Sequence, residues 1–426
     1  MGAGFAGLYA AKGLRDASVE VLLIDKENYH TFQPLLYQVA TAGLEASEIA
    51  RSVRAIFQGQ KNLDFRQGLV TRVNWERKHL LLADSSEISF DYLILAAGTV
   101  YQDFGISGVK EYGFYLKSLQ DALSIRHHLL SLFEEANLKP KKLEEGFLDV
   151  AIVGGGPTGV EMAGALAELY KVLARDFPRL DLTKSKIWLI EQAPHLLTPY
   201  SKASQDFALK RLEALGIGIR LNASVQAAEA DGLWLREGAH HSKLPAHTLI
   251  WAAGVRAHPL AEALGLKLDK GFRVVVKDDL SLPDKPFAFV AGDMAAAKTA
   301  KGEMLAQLCP VAIQAGIHVA KQIERQLQEK PMQAFHYFDK GIMAIVGRNA
   351  GITEASAQLG GFKLRGFLGW LAWLFIHLIY LVGYQNRLQV LLNWCYNYLS
   401  HDRHVRLIMA KPDRGNPEGG NQLLQI

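Results

Sequence analysis

The chain has 426 residues, 49% apolar and 21% charged, with 38 glycines and a net charge of +4. Such a length implies roughly two to three domains with an ample core, and the composition excludes a disordered, collagen-like or disulfide-stapled protein. From Lys363 onward seven Lys/Arg face three acids, so residues 1–362 are neutral overall; this excludes a broad nucleic-acid face but suits an anionic membrane surface.

The N-terminus opens on a glycine-rich turn, Gly2-Ala3-Gly4-Phe5-Ala6-Gly7, with no signal peptide ahead of it. A dinucleotide fold places such a turn after a buried strand. Only Met1 precedes it, so that strand is missing from the sequence, and a start assigned too late explains this better than a truncated fold. A helical run follows from Leu8 to Leu14, then a strand from Val19 to Ile24 ending in Asp25. A later strand, Tyr92 to Leu95, ends in Ala96-Ala97-Gly98-Thr99.

After a helix-rich connection at 118–146, the same series returns. A strand from Val150 to Val153 runs into Gly154-Gly155-Gly156-Pro157-Thr158-Gly159 and a helix from Val160 to about Leu173. Ile187 to Ile190 reads as a strand ending in Glu191, and Thr248 to Trp251 as one ending in Ala252-Ala253-Gly254-Val255. The glycine motifs lie 152 positions apart and the Ala-Ala-Gly motifs 156. In each unit the first glycine allows a tight turn, the second lets backbone approach a pyrophosphate, and the third lets helix and strand pack closely. The helix N-terminus then presents free N–H groups to the phosphates. The acid ending the second strand accepts from ribose hydroxyls, and Glu191 repels a 2′-phosphate, favouring NADH over NADPH. One motif alone is weak; two, each with an acid and a closing Ala-Ala-Gly, imply two dinucleotides, one donating electrons to the other.

Further along, a short strand from Phe287 to Val290 precedes Ala291-Gly292-Asp293. Asp293 there is either a partner for a ribityl hydroxyl or an ordinary helix cap. The two cysteines, Cys309 and Cys395, lie 86 positions apart and form no local redox or zinc pattern. His127-His128 and His240-His241 have no ligand cluster at useful spacing, so no metal is expected, and both pairs read as surface histidines.

Residues 366–384 carry no formal charge over 19 positions. Trp370, Trp373, His377, Tyr380 and Tyr384 recur there as one aromatic stripe. A second stretch, Leu388 to Tyr398, puts Gln389, Asn393 and Asn397 on one side and Leu388, Leu391, Leu392, Trp394 and Cys395 on the other. Two such helices with basic flanks read as an in-plane membrane anchor at 366–398. A dimer face and a true membrane span remain alternatives. Residues 412–426, rich in Gly, Pro, Asn and Gln, read as a disordered tail.

Together these residues resemble the flavoproteins with two dinucleotide-binding domains. Within them the chain is similar to the type II NADH:quinone oxidoreductases, through the run Asn28-Tyr29-His30-Thr31-Phe32-Gln33-Pro34-Leu35-Leu36-Tyr37-Gln38-Val39-Ala40, the motif Gly154 to Glu161 and the aromatic C-terminal helices. The resemblance implies an α/β fold of two Rossmann-like domains, an FAD domain with an inserted NADH domain, followed by amphipathic membrane-anchoring helices. Its parts would be 1–110 for the first portion of the FAD domain, 111–146 for a helical connection and 147–270 for the NADH domain. The second FAD portion with a quinone-site helix would be 271–361, and the anchor 362–411. It further implies a monotopic enzyme on the cytoplasmic membrane face, a homodimer being compatible, that passes electrons from NADH through FAD to a membrane quinone without proton pumping.

Carried over residue by residue, Gly2, Gly4, Phe5, Ala6, Gly7, Asp25, Lys26, Gln33, Val70, Ala97, Gly98, Asp293 and Ala312 would serve FAD. Gly154, Gly156, Pro157, Thr158, Gly159, Glu191 and Gly254 would serve NADH. Glu161 would handle protons, against the plainer reading of an acid in a first helical turn. Gln314 would face the quinone. The family pattern A-Q-x-A-x-Q is broken here, with Pro310 replacing the first glutamine. Sulfide:quinone and other pyridine-nucleotide-disulfide-type oxidoreductases, and a degenerate non-catalytic paralogue, are the rival readings.

Overall fold

The computed structural model describes residues 1–403 and 405–409, so the tail expected at 412–426 lies outside the described residues. The chain forms two compact units interleaved in sequence. The first comprises Met1–Thr31, Ala50–Val100 and Val255–Lys340; the second comprises Phe32–Ile49, Tyr101–Gly254 and Gly341 onward. Six helices carry the argument, in chain order α1 (Phe5–Gly13), α2 (Leu119–Leu138), α3 (Pro157–Asp176), α4 (Cys309–Leu327), α5 (Phe367–Tyr380) and α6 (Tyr384–Ser400).

In the first unit Val21–Asp25 pairs in parallel with Leu63–Gln67, and Lys285–Val290 pairs in parallel with Leu93–Leu95. Met1 and Gly2 reach both pairs: the Gly2 N–H donates to Ile24 O at 2.7 Å, and the Ala96 N–H donates to Met1 O at 2.9 Å. Helix α1 crosses α4 at Gly316, where a Cβ would lie 2.1 Å from the Ala6 carbonyl oxygen. An antiparallel meander, Val70–Asn74, His79–Leu82 and Glu87–Ser89, belongs to the same unit.

The second unit is built on a five-stranded sheet. Val150–Val153 lies between Ile187–Ile190 and Thr248–Trp251, all parallel. All four residues of that central strand are buried, as expected of a parallel strand covered on both faces. A three-stranded antiparallel sheet, Ala223–Glu229, Gly232–Glu237 and His240–Pro245, packs onto the same core through Val225, Leu233, Leu235 and Trp251. A third sheet, Ile342–Ile345, Gly351–Glu354 and Lys363–Gly366, leads into α5 and α6.

Several local expectations are corrected. Helix α3 starts at Pro157, three residues before the expected Val160, because a proline is tolerated where the N–H has no helical partner. His127 and His128 are buried on α2, not surface residues; His128 Nε2 lies 3.0 Å from Thr248 Oγ1. His240 and His241 are exposed as expected. No cluster able to hold a metal occurs among the described residues. The charge-free stretch 366–384 is not one helix: it breaks after Tyr380, and Gly383 with φ +94° separates α5 from α6. No helix among the described residues is long and apolar enough to cross a membrane.

Candidate functional site

The two glycine loops have the same construction. Gly2 and Gly154 have φ of +96° and +114°, and a Cβ on either would press on the carbonyl of Ala96 or Ala252. At Gly7 and Gly159 a Cβ would lie 1.8 Å and 1.9 Å from the carbonyl oxygens of Gly2 and Gly154, so only glycine lets helix and loop close. At Gly4 and Gly156, by contrast, a Cβ would meet no atom within 4 Å. Both middle glycines therefore keep space clear at a helix N-terminus, where free N–H groups favour an anion.

Each loop is tied to its acid. Asp25 accepts from the Ala3 N–H at 2.5 Å and the Glu27 N–H at 2.8 Å. Glu191 accepts from the Gly155 N–H at 2.5 Å and the Ala193 N–H at 2.7 Å. A carboxylate has about four lone-pair sites, so both retain capacity for ribose hydroxyls. No arginine neighbours Glu191 in sequence, but the fold brings Arg220 alongside, its carbonyl accepting the Glu191 N–H at 2.8 Å. The Arg220 guanidinium is engaged elsewhere, over the Trp188 ring at 5.2 Å and against Glu237 at 3.4 Å.

Around the first loop, Phe5 and Ala6 begin α1 and are buried. The turn at Gly292 packs between α1 and α4, where a Cβ would lie 3.0 Å from Ala6 Cβ and 3.4 Å from Ala312 Cβ. Asp293 is not a cap of a long helix but sits in a single 3-10 turn, Gly292–Met294, with its carboxylate 3.5 Å from Thr99 Oγ1. The Ala97 N–H meets Met294 Sδ at 3.2 Å, and Gly98 has φ +71°. Val70 is buried, whereas Lys26 is exposed and its carbonyl accepts from Gln67. Gln33 opens a 3-10 turn in the second unit and is exposed. In the second loop Pro157 and Thr158 start α3, and the Phe104 ring closes the space beside Gly254.

His30 lies inside the signature run but had no assigned role. It is buried, its Nδ1 lies 2.8 Å from the Ala3 carbonyl, and its Nε2 has no partner among the described residues. Burial holds its pKa down at about 4, so the ring is neutral at pH 7. A neutral ring with a spare nitrogen behind the first loop fits a polar ligand there. The residue type alone carried no such signal, since a buried histidine needs its environment to be read.

Glu161 is the fifth residue of α3, beyond the first turn, and only 8% exposed. Burial pushes its pKa up to about 8, opposed by the Ile345 N–H, which donates to Oε1 at 3.2 Å. The buried indole N–H of Trp373, which has no partner in hydrogen-bond geometry among the described residues, faces the same carboxyl. The carboxyl is therefore protonated at pH 7. It lines a cavity of about 480 Å³ with Tyr37, Gln38, Ile345 and Trp394. The Tyr37 ring lies 6.4 Å from that of Trp373, and the Gln38 amide joins the Tyr37 hydroxyl at 2.9 Å to the Trp394 indole at 2.8 Å.

Gln314 is partly committed elsewhere: its amide donates to Phe338 O and accepts from the Phe338 N–H, both at 2.9 Å. Pro310 takes the first turn of α4 as its chemistry suggests. Gln307, out of register in the motif, donates to the Asp293 carbonyl at 3.0 Å. Cys309 and Cys395 are both free thiols.

The C-terminal helices are amphipathic in an inverted sense. The aromatic stripe turns inward only in α5, where Trp373 is 0% exposed and stacks on His377 at 3.7 Å; Tyr384, its expected last member, opens α6 and is 87% exposed. The polar row of α6 also faces inward. Asn386 donates to the carbonyls of Ser47 and Glu48 at 2.9 Å, Asn393 donates to the Glu48 carboxylate, and Asn397 donates to Gly43 O at 2.9 Å. Gln389 is exposed and outside that row, and Trp394 turns inward rather than joining the apolar side. What faces outward is Phe367, Leu368, Leu371, Phe375 and Ile379 of α5 with Leu388, Leu391, Leu392, Tyr396 and Leu399 of α6.

Comparison with known proteins places this geometry among relatives. Residues 1–316 match the family model described as pyridine nucleotide-disulphide oxidoreductase. A type II NADH:quinone oxidoreductase of Mycobacterium tuberculosis is 37% identical over 95% of this chain and 88% of its own length. A type II NADH:quinone oxidoreductase of Haemophilus influenzae is 29% identical over 84% of this chain and 87% of its own. Among solved structures, NDH2 of Plasmodium falciparum in complex with NADH superposes with a TM-score of 0.86 at 19% identity, covering 96% of this chain and 98% of that one.

Proposed function

Since the chain belongs to the pyridine nucleotide-disulphide oxidoreductases, and among them to the type II NADH:quinone oxidoreductase family, we propose that it oxidises NADH through FAD and reduces a membrane quinone without pumping protons. The observation that carries this reading is the duplicated cradle, in which Gly4 and Gly156 each leave a clear approach at a helix N-terminus. Gly2, Gly4, Gly7 and Asp25 hold FAD, with the neutral His30 behind the loop; Gly154, Gly156, Gly159 and Glu191 hold NADH. The Glu191 carboxylate, with no guanidinium turned toward it, disfavours a 2′-phosphate. An FAD held there would supply the two-electron chemistry that links NADH to the quinone.

The rest of the chemistry falls to protein groups. Reducing a quinone to a quinol consumes two protons, and the buried Glu161 carboxyl holds one at neutral pH. Gln314 is held by Phe338 through one N–H and one lone pair, which orients its amide and leaves a second N–H for a quinone oxygen. The outward apolar rows of α5 and α6 suit the plane of a membrane, since each fully buried Leu or Phe side chain contributes about 1.5–3 kcal/mol. We place the enzyme on the cytoplasmic face, where NADH is found.

The test separates the half-reactions. In the Glu161→Gln variant, flavin bleaching by NADH should keep its rate, while reoxidation by a soluble quinone slows. Equal slowing of both halves, or of neither, removes Glu161 from the quinone side.

A further inference from the structure

The cavity that ends at Glu161 is cationic at its other end. Lys171 and Arg175, late in α3, line it and are exposed; Arg211 and Arg348 line it and are half-buried. None of these four has a carboxylate partner within ion-pair distance among the described residues. The three arginines are held by main-chain carbonyls instead. Arg175 donates to His401 O, Arg348 to Tyr398 O, and Arg211 to Arg348 O at 2.9 Å. The acids nearby are already engaged: Glu168 pairs with Arg403 at 3.0 Å, and Asp402 with Arg406 at 2.5 Å.

A guanidinium has five N–H donors, so one carbonyl leaves most of each fork open. The Arg211 Nε–H is buried and has no partner among the described residues. Arg348 is further fixed over the Tyr398 ring at 4.1 Å. Pre-set forks of this kind match a phosphate oxygen pair. Beside them the cavity wall is apolar, formed by Trp370, Leu374 and Trp394. The same end of α6 carries Tyr396 and Leu399, the latter 78% exposed, so the cationic mouth and the outward apolar row meet at one helix end.

We propose that this mouth binds the phosphate of an anionic phospholipid, Arg211 and Arg348 gripping the head group while the acyl chains continue along the apolar row of α6. The proposal rests on the membrane reading above. A free phosphate would satisfy the forks but leave the adjoining apolar row uncovered, which is why a lipid is assigned.

The test uses the full chain with its flavin bound and co-sedimentation with two kinds of vesicle, pure phosphatidylcholine and phosphatidylcholine mixed with phosphatidylglycerol. The protein should bind both and prefer the anionic vesicles. The double variant Arg211→Gln, Arg348→Gln should keep its binding to neutral vesicles and lose most of the preference, about fivefold per charge removed. Arg365→Gln, which removes an exposed cation away from the cavity, should lose much less. Flavin content and bleaching by NADH report that each variant is folded. An unchanged preference in the double variant overturns the proposal, as does an equal loss in Arg365→Gln, which would mean diffuse surface charge. Protection against thermal unfolding by inorganic phosphate without any vesicle preference assigns a free-anion site and overturns the lipid. Absence of binding to either vesicle overturns the membrane reading, and the head-group site with it.

Discussion

The two glycine loops share a backbone plan but differ by one methylene in the acid and one methyl in the loop. In the first, Asp25 receives the N–H of Ala3; in the second, the longer Glu191 receives the N–H of Gly155. A Cβ on Gly155 would lie 2.9 Å from the Glu191 Cγ and 2.7 Å from Leu196 Cδ2, so the longer acid occupies the place of the missing methyl. The lesson is that loop residue and acid are fitted as a pair. The helices that follow differ too: two residues after the third glycine stands Tyr9 in one and the buried, protonated Glu161 in the other. One loop thus opens a plain binding helix, and the other opens a helix that also carries a proton.

The largest effect is expected where the loops are alike. Gly7→Ala should give protein without flavin, read from the absorbance of the purified chain. Gly159→Ala should retain flavin yet raise the KM for NADH by ~100-fold or more, since overpacking against backbone costs about 3 kcal/mol. If both variants lost flavin, the separation of the two cradles would fail.

Next comes the contrast in the helices. The folded pKa of Glu161 is about 8 against an ordinary 4.5. The folded state therefore binds this proton more tightly than the unfolded one, and stability declines as pH rises between those values. Glu161→Gln should remove that decline, so its Tm should exceed that of wild type by a margin that grows up to about pH 8 and is constant above. A margin independent of pH would show that Glu161 is ionised throughout.

A smaller effect attends the acid itself. Glu191→Gln should raise the kcat/KM for NADPH relative to NADH by about tenfold, roughly 1.4 kcal/mol. No change would mean that Arg220, not Glu191, governs the 2′ position. Smallest is Gly155→Ala, costing about 1 kcal/mol in Tm terms, with Glu191→Asp in the same chain restoring part of it. Additive losses in that pair would break the fitted-pair account.

Much of this was legible in sequence because glycine spacing and strand-end acids are local signals. The order of elements, both loops, Asp25, Glu191 and the buried strand Val150–Val153 follow from residues adjacent in the chain. What escaped depends on distant partners. His127 and His128 read as surface histidines, but both are buried on α2 and His128 meets Thr248. Gln314 looks wholly available until Phe338 returns to engage both of its amide atoms. The polar row of α6 was visible, but its direction was not. Asn393 and Asn397 share one side of the helix in the sequence, and the fold turns that side toward Glu48 and Gly43, which receive them. The pKa of Glu161 is likewise set by burial among residues such as Ile345 and Trp373, far along the chain.

The proposed function has electrons pass from one dinucleotide to the other and on to a quinone. It is tested most directly by recording the flavin absorbance of the purified protein without oxygen while adding NADH and then a soluble quinone. The account predicts bleaching complete at one NADH per flavin, and full recovery on adding quinone. A flavin spectrum that NADH leaves unchanged, or a preparation with no flavin, would contradict it.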